Sequence, residues 1–418
     1  MRSPHSIIAL EIHKSFTVAA VPHSTQYNRL RNCCPLFSPE VKMKKQALVG
    51  MSGGVDSSVA AFLVREAGYD VTGATMRLFD NETIGITDKT CCSLSSIEDA
   101  CAVANRLGIG YVVYDMRDDF RREVIDRFVS AYEHGATPNP CVACNKYLKF
   151  DRLYELSARD LLADSGNTVL PETAGEADGD VPPLSIATGH YAVIEKSGSG
   201  RFMLRKGIDP GKDQSYFLYD LTQEQLSRTL FPLGGLTKPE VREIAESQGL
   251  VTAKKRESQD ICFVPDGDYA SFICGYTGHV YPPGDFVSRD GSVMGTHKGI
   301  INYTIGQRKG LGLALKKPAY VLSIDTDQNR VILGDNEDLF TRELTAESFN
   351  WVSTAMPHSD MRASARIRYR HHEAPAAIIP LSETSVRIIF DEPQRAITRG
   401  QSVVVYDGDY VLGGGIII

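Results

Sequence analysis

Residues Ser52 to Ser58 have the composition of a phosphate-binding loop. They read Ser-Gly-Gly-Val-Asp-Ser-Ser and lie between an apolar run at Gln46–Met51 and a helical pattern of apolar residues that begins at Val55. Glycines let backbone N–H groups approach an anion closely, and the positive end of the helix macrodipole adds to the attraction. Asp56 is unusual beside an anion, so we expect its carboxylate to orient a Mg²⁺ ion or to hold the loop. The chain has no G-x-x-x-x-G-K-[ST] sequence, which excludes a Walker-type loop.

The segment Thr137–Asn145, which reads TPNPCVACN, is a second candidate for chemistry. Its two prolines fix the backbone ahead of Cys141 and Cys144. We expect a helix from Asn145 to about Ala163, which places Cys144 at or near the helix N-terminus. A thiol in that position has a lowered pKa and forms the thiolate more readily.

A third candidate is the segment Glu257–Phe263, which reads ESQDICF and contains Cys262. It follows the basic run Ala253–Arg256, whose positive charge also favours a thiolate. The chain has nine cysteines, an odd number, and its sequence shows no secretory signal peptide. Thiols in such a context are more often catalytic or metal-binding than paired in structural disulfides. We therefore expect reactive thiols and a cytoplasmic location.

The elements that must position these residues alternate between strands and helices. Strands are predicted at Gln46–Met51, Val71–Leu78, Tyr111–Met116 and Leu184–Ala187, and helices after Val55, from Ser95 and over Asp118–His134. This alternation predicts an α/β domain with a doubly wound parallel sheet and helices on both faces. From about Val293 onward, short alternating β runs separated by turn residues predict small β domains, either barrels or sandwiches.

The composition sets limits on the partners. The chain has 418 residues, a formal charge of −7 and 42% hydrophobic residues, which indicates a globular protein of two or three domains. The longest apolar runs are shorter than the roughly 18 residues that a membrane helix needs, so we expect no membrane partner. A nucleic-acid partner would need local basic patches, because the net charge repels it. Such clusters occur at Lys254–Arg256, Arg308–Lys309, Lys316–Lys317 and Arg366–Arg370.

The motifs together resemble a known enzyme family. The loop pattern SGGxDS is similar to the pyrophosphate loop of the N-type ATP pyrophosphatases, which cleave ATP between the α and β phosphates and adenylate a substrate. TPNPCVACN, ATGHYA, KDQSYFLY, TAKKRESQDICF, GQRKGLG and the terminal LGGGIII also resemble segments of the tRNA-specific 2-thiouridylases, in this order. The resemblance runs essentially from Met43 to Ile418.

The resemblance implies an adenine nucleotide alpha hydrolase-like fold for the α/β domain and a β-barrel for the last domain. It also implies an ATP-dependent tRNA uridine 2-sulfurtransferase that adenylates O2 of the wobble uridine, position 34, and forms 2-thiouridine. Cys262 would carry the sulfur as a persulfide, supplied by a cysteine desulfurase or a sulfur-relay protein. Cys144 would be the nucleophile that releases it by forming a disulfide with Cys262.

The resemblance further implies the residues that bind each substrate. ATP, with Mg²⁺, would be bound by Gly50, Met51, Ser52, Gly53, Gly54, Val55, Asp56, Ser57, Met76 and Gly189. The target base and the anticodon stem-loop region of the tRNA would be contacted by Asn139, Pro140, Cys141, His190, Lys212, Asp213, Gln214, Arg368, Tyr369 and Gln401. We expect the uridine to be flipped out of its stack, since a stacked base does not expose its C2 carbonyl to both ATP and a thiol.

Cys141 departs from part of the family, in which an Asp occupies this position. Cys141 and Cys144 form a C-x-x-C pair, which is typical of half a zinc site or of a redox pair. Together with Cys262 they could also hold an iron–sulfur cluster through three thiolates. An iron–sulfur-dependent variant of the same reaction therefore stays open at this point.

Two rival functions fit part of the sequence. Another adenylating enzyme with this loop, such as an amidating ligase or a lysidine-type tRNA synthetase, would need no pair of reactive thiols. A non-catalytic RNA-binding or redox-sensing protein would need no nucleotide loop. Each rival leaves one of the two main motifs without a purpose.

The chain divides into four expected regions. These are an extension over 1–42, a catalytic domain over 43–270 with a polar insertion at 164–183, a central β-rich domain over 271–345 and a C-terminal β-barrel domain over 346–418. The extension has few acids and no apolar period, so it fits a transit peptide or a misplaced start codon upstream of Met43. We favour the misplaced start codon.

Overall fold

The computed structural model describes residues 45–79, 94–165, 184–255, 261–264 and 266–418. Several parts of the sequence lie outside the described residues. They are the expected extension over 1–42, most of the insertion at 164–183, residues 256–260, and Cys33, Cys34, Cys91 and Cys92.

The helices include two π-helical stretches that continue directly into α-helices. They are α1 Val55–Glu66, α2 Leu94–Leu107, α3 Arg117–Phe120, the first π-helical stretch Arg121–Ile125, α4 Asp126–Glu133, α5 Pro140–Ala143, the second π-helical stretch Cys144–Arg152, α6 Leu153–Ser165, α7 Gln223–Ser227, α8 Lys238–Ser247 and α9 Tyr269–Thr277. Short 3-10 turns lie at Ser215–Leu218, Ile300–Asn302 and Asn336–Leu339.

The strands fall into one parallel and two mainly antiparallel sheets. They are β1 Gln46–Gly50, β2 Asp70–Arg77, β3 Gly110–Asp115, β4 Leu184–Ala187, β5 Ala192–Lys196, β6 Phe202–Lys206, β7 Thr229–Leu230, β8 Gly284–Ser288, β9 Val293–His297, β10 Tyr320–Asp325, β11 Arg330–Gly334, β12 Phe340–Trp351, β13 Met361–Arg366, β14 Ala374–Ser382, β15 Ser385–Arg395, β16 Ser402–Asp407 and β17 Tyr410–Ile417.

The N-terminal domain is built on a five-stranded parallel sheet with the order β3-β2-β1-β4-β7. Its central strand β1 is buried on both faces. Ala47 and Val49 pack with α1, α2 and α8, whereas Leu48 packs with α3 and the helices that follow it. Alternate side chains of a strand point to opposite faces, so a continuous apolar run is what a doubly covered sheet requires. The expected doubly wound α/β sheet is confirmed.

The helix that carries Cys144 begins five residues earlier than the sequence analysis expected. Pro140 occupies the first or second helical position, where its missing N–H is not needed, and Asn139 precedes the helix. α5, the second π-helical stretch and α6 then run on without a break. Cys144 therefore lies in the second turn, and Cys141 takes the place in the first turn that was expected for Cys144.

Two β domains follow the parallel sheet. Strands β8 to β11 form a sheet in the order β10-β11-β8-β9 around Phe286, Val321 and Val331. Strands β12-β15-β14-β13-β16-β17 form an antiparallel sheet that closes into a six-stranded barrel because β12 also pairs with β17. The expected β-barrel at the end of the chain is therefore confirmed.

A hairpin of the first half of the chain extends the sheet of the barrel. Strands β5 and β6 pair with each other, and β6 pairs with β17 at Arg205 with Tyr410 and Leu204 with Val411. This hairpin directly follows residues 188–191, so one short stretch of chain is fixed both to the parallel sheet and to the barrel. The sequence analysis did not predict it.

Both β domains also contact the segment 135–138, which we call the junction. The Thr137 N–H donates to Arg399 O of the barrel domain over 2.8 Å, and the Gln401 side chain donates to Thr137 O over 2.8 Å. From the central domain, the hydroxyl of Thr304 lies 3.4 Å from that of Thr137. Gly400 has φ +88°, and a Cβ added there would lie 2.9 Å from Ala136 Cβ and 3.0 Å from Thr137 N. The junction leads directly into the helix that carries Cys141 and Cys144.

The tight contact at Gly400 gives a test of the junction. Gly400→Ala should cost about 1–2 kcal/mol for the left-handed backbone and roughly another 1–3 kcal/mol for overpacking against the junction. Gly408→Ala is a matched control, since Gly408 has φ +56° with no atom within 4 Å of an added Cβ. The single tryptophan, Trp351, lies in β12 and reports unfolding of the barrel in urea by fluorescence. Equal losses in the two variants would contradict a close contact at Gly400.

Candidate active site

The loop predicted to bind phosphate lies between β1 and α1, and its own side chains hold it in shape. The Ser57 hydroxyl donates to Gly54 O over 3.1 Å and accepts from the Ser52 N–H over 3.2 Å. The Ser58 hydroxyl also donates to Gly54 O, over 2.8 Å. The loop therefore presents the N-terminus of α1 in a fixed geometry, which suits an anion.

The carboxylate of Asp56 is held by two buried side chains. Lys238 Nζ lies 2.7 and 2.9 Å from its two oxygens, and the Tyr191 hydroxyl donates to Oδ1 over 2.7 Å. Lys238 is 7% exposed and Tyr191 is 2% exposed, so both partners are held in place by packing. Two roles are expected for Asp56, orienting Mg²⁺ or holding the loop. This arrangement supports the second role, because the ammonium group of Lys238 already pairs with the carboxylate.

A cavity of about 320 Å³ opens beside this loop. It is lined by Gly50, Met51, Ser52, Asp56 and Ser57 from the loop, by Met76 and Gly189, and by Pro140, Cys141, Cys144, His190, Gln214 and Cys262. The structure thus brings most of the residues singled out in the sequence into one space. Gly53, Gly54 and Val55 belong to the loop but do not line the cavity.

Gly189 brings the chain after β4 into contact with the loop. A Cβ added at Gly189 would lie 2.7 Å from Asp56 C and 2.8 Å from Ser57 N. Such distances to backbone atoms are too short for any other residue, so only glycine allows this approach.

The three described thiols of the candidate motifs, Cys141, Cys144 and Cys262, also line this cavity. Cys144 is buried, Cys141 is exposed at the first turn of the helix, and Cys262 is partly buried. Phe263, next to Cys262, is 1% exposed and packs edge-on against Phe120 and Phe128, with ring centroids 5.6 and 5.2 Å apart. The backbone beside Cys262 is therefore anchored in the apolar core, although Arg256–Asp260 lie outside the described residues.

His190 is neutral in this cavity. Burial, together with the nearby ammonium group of Lys149, holds the pKa of His190 well below its usual value. Its Nδ1 lies 2.7 Å from the Thr188 hydroxyl, and its ring packs between Phe150 and Phe231. His190 can therefore offer hydrogen bonds to a substrate but not a positive charge.

Six residues expected to contact tRNA lie outside the cavity lining: Asn139, Lys212, Asp213, Arg368, Tyr369 and Gln401. The carboxylate of Asp213 is buried and accepts from the Gly207 and Ser215 N–H groups over 3.1 Å each, so it shapes a turn. The backbone of Asp213, and not its carboxylate, is therefore the part that could contact an RNA.

Arg368 and Tyr369 lie in a turn after β13, which ends at Arg366. The Tyr369 hydroxyl donates to Asp213 O over 3.2 Å, and its ring lies 4.4 Å from that of Phe217. The turn is thereby attached to residues on both sides of Gln214 in sequence.

Gln401 reaches the cavity wall indirectly. Its side-chain amide donates to Thr137 O over 2.8 Å and to Pro138 O over 3.3 Å, just ahead of Asn139 and Pro140. Its position in this structure supports the junction.

Several residues of the site carried no signal in the sequence. Lys149 lines the cavity, and it lies five positions after Cys144, a spacing that places two residues on one face in a π-helix but not in an α-helix. Lys238 and Tyr191 are far from Asp56 in sequence, so only the fold brings them together.

The described residues contain no group of three or more His, Cys, Asp or Glu side chains placed to hold a metal ion. Cys141, Cys144 and Cys262 are all described, and they do not form such a group. For Mg²⁺ the loop offers the single carboxylate of Asp56, which Lys238 and Tyr191 already engage. The proposed reaction therefore includes no step at a metal held by the protein.

Within the described ranges, none of the helices combines the length and the apolar character that crossing a membrane requires.

Comparison with known proteins identifies relatives over nearly the whole described chain. Residues 45–266 match a family model described as the tRNA methyl transferase HUP domain, residues 270–335 match the tRNA methyl transferase PRC-barrel domain and residues 341–417 match the aminomethyltransferase beta-barrel domain.

The curated relatives carry a different name. The chain is 48% identical over 376 residues to tRNA-specific 2-thiouridylase MnmA from Clostridioides difficile, an alignment that covers 90% of this chain and 98% of that protein. It is 48% identical over 377 residues to the protein of the same name from Lachnoclostridium phytofermentans, covering 90% of this chain and 99% of that protein. These relatives are named as thiouridylases rather than as methyl transferases.

The ion pair that holds the loop gives a second test. Asp56→Asn should cost roughly 1–3 kcal/mol of unfolding free energy, because it removes the carboxylate charge that pairs with the buried ammonium group of Lys238. Replacing both residues, as Asp56→Asn with Lys238→Met, should recover most of that loss. Glu343→Gln, in an exposed pair with Arg387, is the control and should cost less than about 1 kcal/mol. Urea unfolding followed by circular dichroism measures all three, and an Asp56→Asn loss no larger than the control would refute the anchoring role.

Proposed function

The chain belongs to the tRNA-specific 2-thiouridylase family, and we propose that the cavity between the loop and the thiols is where a tRNA uridine exchanges its 2-oxygen for sulfur. The protein is an ATP-using tRNA sulfurtransferase that forms 2-thiouridine. The observation that carries the proposal is that the loop, Cys144 and Cys262 line one cavity. Neither rival considered above would need both features in the same place.

In the first half of the reaction, the loop at Gly50–Ser57 binds the phosphates of ATP at the N-terminus of α1, while Met76 and Gly189 pack against the adenosine. The 2-oxygen of the uridine attacks the α-phosphate, and pyrophosphate leaves. Adenylation turns a poor leaving oxygen into a good one. A Mg²⁺ ion bound together with ATP would reduce the negative charge of the phosphates, and Asp56 is the carboxylate that the loop offers to such an ion.

The uridine meets the α-phosphate inside the cavity, beside the start of the helix that carries Cys144. Asn139, Pro140 and Cys141 border the flipped base at the start of the helix, where Pro140 and Cys141 line the cavity. The cavity volume of about 320 Å³ suits a base together with the reacting phosphate group. Closing such a site around the base keeps water from the adenylated intermediate.

In the second half, Cys262 carries a persulfide whose outer sulfur attacks C2, and AMP leaves with the former 2-oxygen. The thiolate of Cys144 then attacks the Sγ of Cys262 and breaks its bond to the transferred sulfur. The sulfur remains on C2 as a thiocarbonyl, and a Cys144–Cys262 disulfide forms. A two-electron reductant, such as a dithiol, returns the pair to thiols.

The RNA-facing surface surrounds the mouth of this cavity. We assign Lys212, Asp213, Gln214, Arg368, Tyr369, Gln401 and His190 to the anticodon stem-loop region of a tRNA, with position 34 as the target. The support is the hydrogen bond from Tyr369 in this turn to Asp213, the residue before Gln214, because Gln214 lines the cavity. Asp213 would act through its backbone and His190 through hydrogen bonds, because the first is buried and the second is neutral.

A sulfur donor and a reducing compartment complete the proposal. A persulfide on Cys262 must be supplied by a protein that generates sulfane sulfur, either a cysteine desulfurase or a relay protein. The cycle needs Cys144 and Cys262 as thiols at its start, which supports a cytoplasmic location, where thiols are kept reduced.

Substitution of Cys144 and substitution of Cys262 should block different steps of the reaction. Cys262→Ser should still release pyrophosphate in the presence of tRNA, because adenylation uses no thiol, but it should accept no sulfur. Cys144→Ser should accept sulfur on Cys262 and fail to pass it to tRNA. Labelled sulfur from a desulfurase, followed on gels with and without reductant, measures loading, and mass spectrometry of the tRNA measures thiolation.

Cys274→Ser is the matched control, since Cys274 is a partly buried cysteine of α9 outside the cavity lining, and it should retain both steps. Label on Cys144 in the Cys262→Ser protein would reverse the assignment of the two thiols. Thiolation by either variant at the wild-type rate would refute it.

A further inference from the structure

Lys149 is a charged residue that lines the cavity, and neither the adenylation step nor the sulfur-transfer step of the proposed reaction uses it. It lies in the second π-helical stretch, and its side chain lines the cavity with the loop residues and both thiols. Hydrogen bonds from residue i to i+5 place residues five apart on adjacent turns, so Lys149 and Cys144 face the same space. In an α-helix the two side chains would diverge.

The ammonium group of Lys149 is positioned but not neutralised. Its Nζ donates to Asn145 Oδ1 over 2.8 Å, and the amide of Asn145 is itself fixed by donating to Phe217 O over 3.0 Å. Asn145 is 2% exposed, so this support is buried and rigid. No carboxylate within the described residues forms an ion pair with Lys149. An ammonium has three donors, so two N–H groups are left for a substrate.

Lys149 also supplies the positive charge that the rest of the lining lacks. Among the described residues that line the cavity, it is the one with a cationic side chain. His190 beside it is held neutral, partly by Lys149 itself. Asp56 carries a negative charge, but Lys238 balances it from outside the lining.

The position of Lys149 relative to the loop indicates which part of a substrate it meets. His190, which interacts with Lys149, follows Gly189, and Gly189 lies against the backbone of Asp56 and Ser57 in the loop. Lys149 therefore lies near the chain segment that contacts the loop, and it lines the same cavity as both thiols. The group that must occupy this place is the α-phosphate, because it bonds to the oxygen of the base that the thiols later attack.

We propose that Lys149 is a catalytic residue that neutralises the α-phosphate during adenylation of the uridine. The bond between the 2-oxygen and the α-phosphorus forms while the bond to the bridging oxygen of pyrophosphate breaks, and pyrophosphate takes that electron pair. Negative charge on the α-phosphate oxygens then lies against two N–H donors of a fixed ammonium. Fixed charges aimed at the reacting phosphate are the main source of catalysis in phosphoryl transfer. This inference rests on the proposed function.

The test compares Lys149→Gln and Lys149→Arg with Arg159→Gln, an exposed cation on the same continuous helix. In single-turnover reactions, Lys149→Gln should slow tRNA-dependent pyrophosphate release by about 10²–10³-fold. Its tRNA affinity and the loading of labelled sulfur on Cys262 should stay within about twofold of wild type. Lys149→Arg should recover part of the rate, and Arg159→Gln should match wild type.

Three results would overturn the inference. Pyrophosphate release by Lys149→Gln at the wild-type rate, with thiolation lost, would mean that the cation supports the Cys144 thiolate instead. A raised KM for ATP with unchanged kcat would mean that Lys149 binds ATP without acting in the chemical step. Failure of wild-type protein to release pyrophosphate in the presence of tRNA would instead refute the proposed function, and this inference with it.

Discussion

The placement of the thiols depends on how the segment 135–138 is held. This junction is hydrogen-bonded to the barrel through Arg399 and Gln401 and contacts the central domain through Thr304. The helix with Cys141 and Cys144 starts two residues later. Both β domains thus contact the segment that leads into a helix of the first domain.

The loop on the other side of the cavity is fixed by a separate set of contacts. Asp56 is held by Lys238 and Tyr191, and Gly189 lies against the loop backbone. Tyr191 leads into the β5–β6 hairpin, which pairs with the barrel through β17. The two walls of the cavity therefore share the barrel as a common support. A reaction that joins the 2-oxygen to phosphorus and C2 to sulfur needs both walls at a constant separation.

The sequence was informative wherever one short segment determines its own structure. The SGGVDSS loop, the strands of the parallel sheet and the closing β-barrel follow from local patterns, and the structure confirms the fold they predict. Features that depend on distant residues were not predicted. The partners of Asp56 and the β5–β6 hairpin are of this kind. The sequence predicts the start of the helix with Cys144 at Asn145, five residues later than its observed start at Pro140, although a proline fits the first turn.

The central step of the proposed mechanism is the attack of the uridine 2-oxygen on the α-phosphate in the cavity. The most direct measurement uses tRNA labelled with ¹⁸O at C2 of the target uridine, incubated with ATP, reductant and a sulfur donor. The account predicts that the AMP released carries the labelled oxygen while the pyrophosphate carries none. A parallel reaction in labelled water should leave the AMP unlabelled. Unlabelled AMP from labelled tRNA, accompanied by full conversion to 2-thiouridine, would contradict the account.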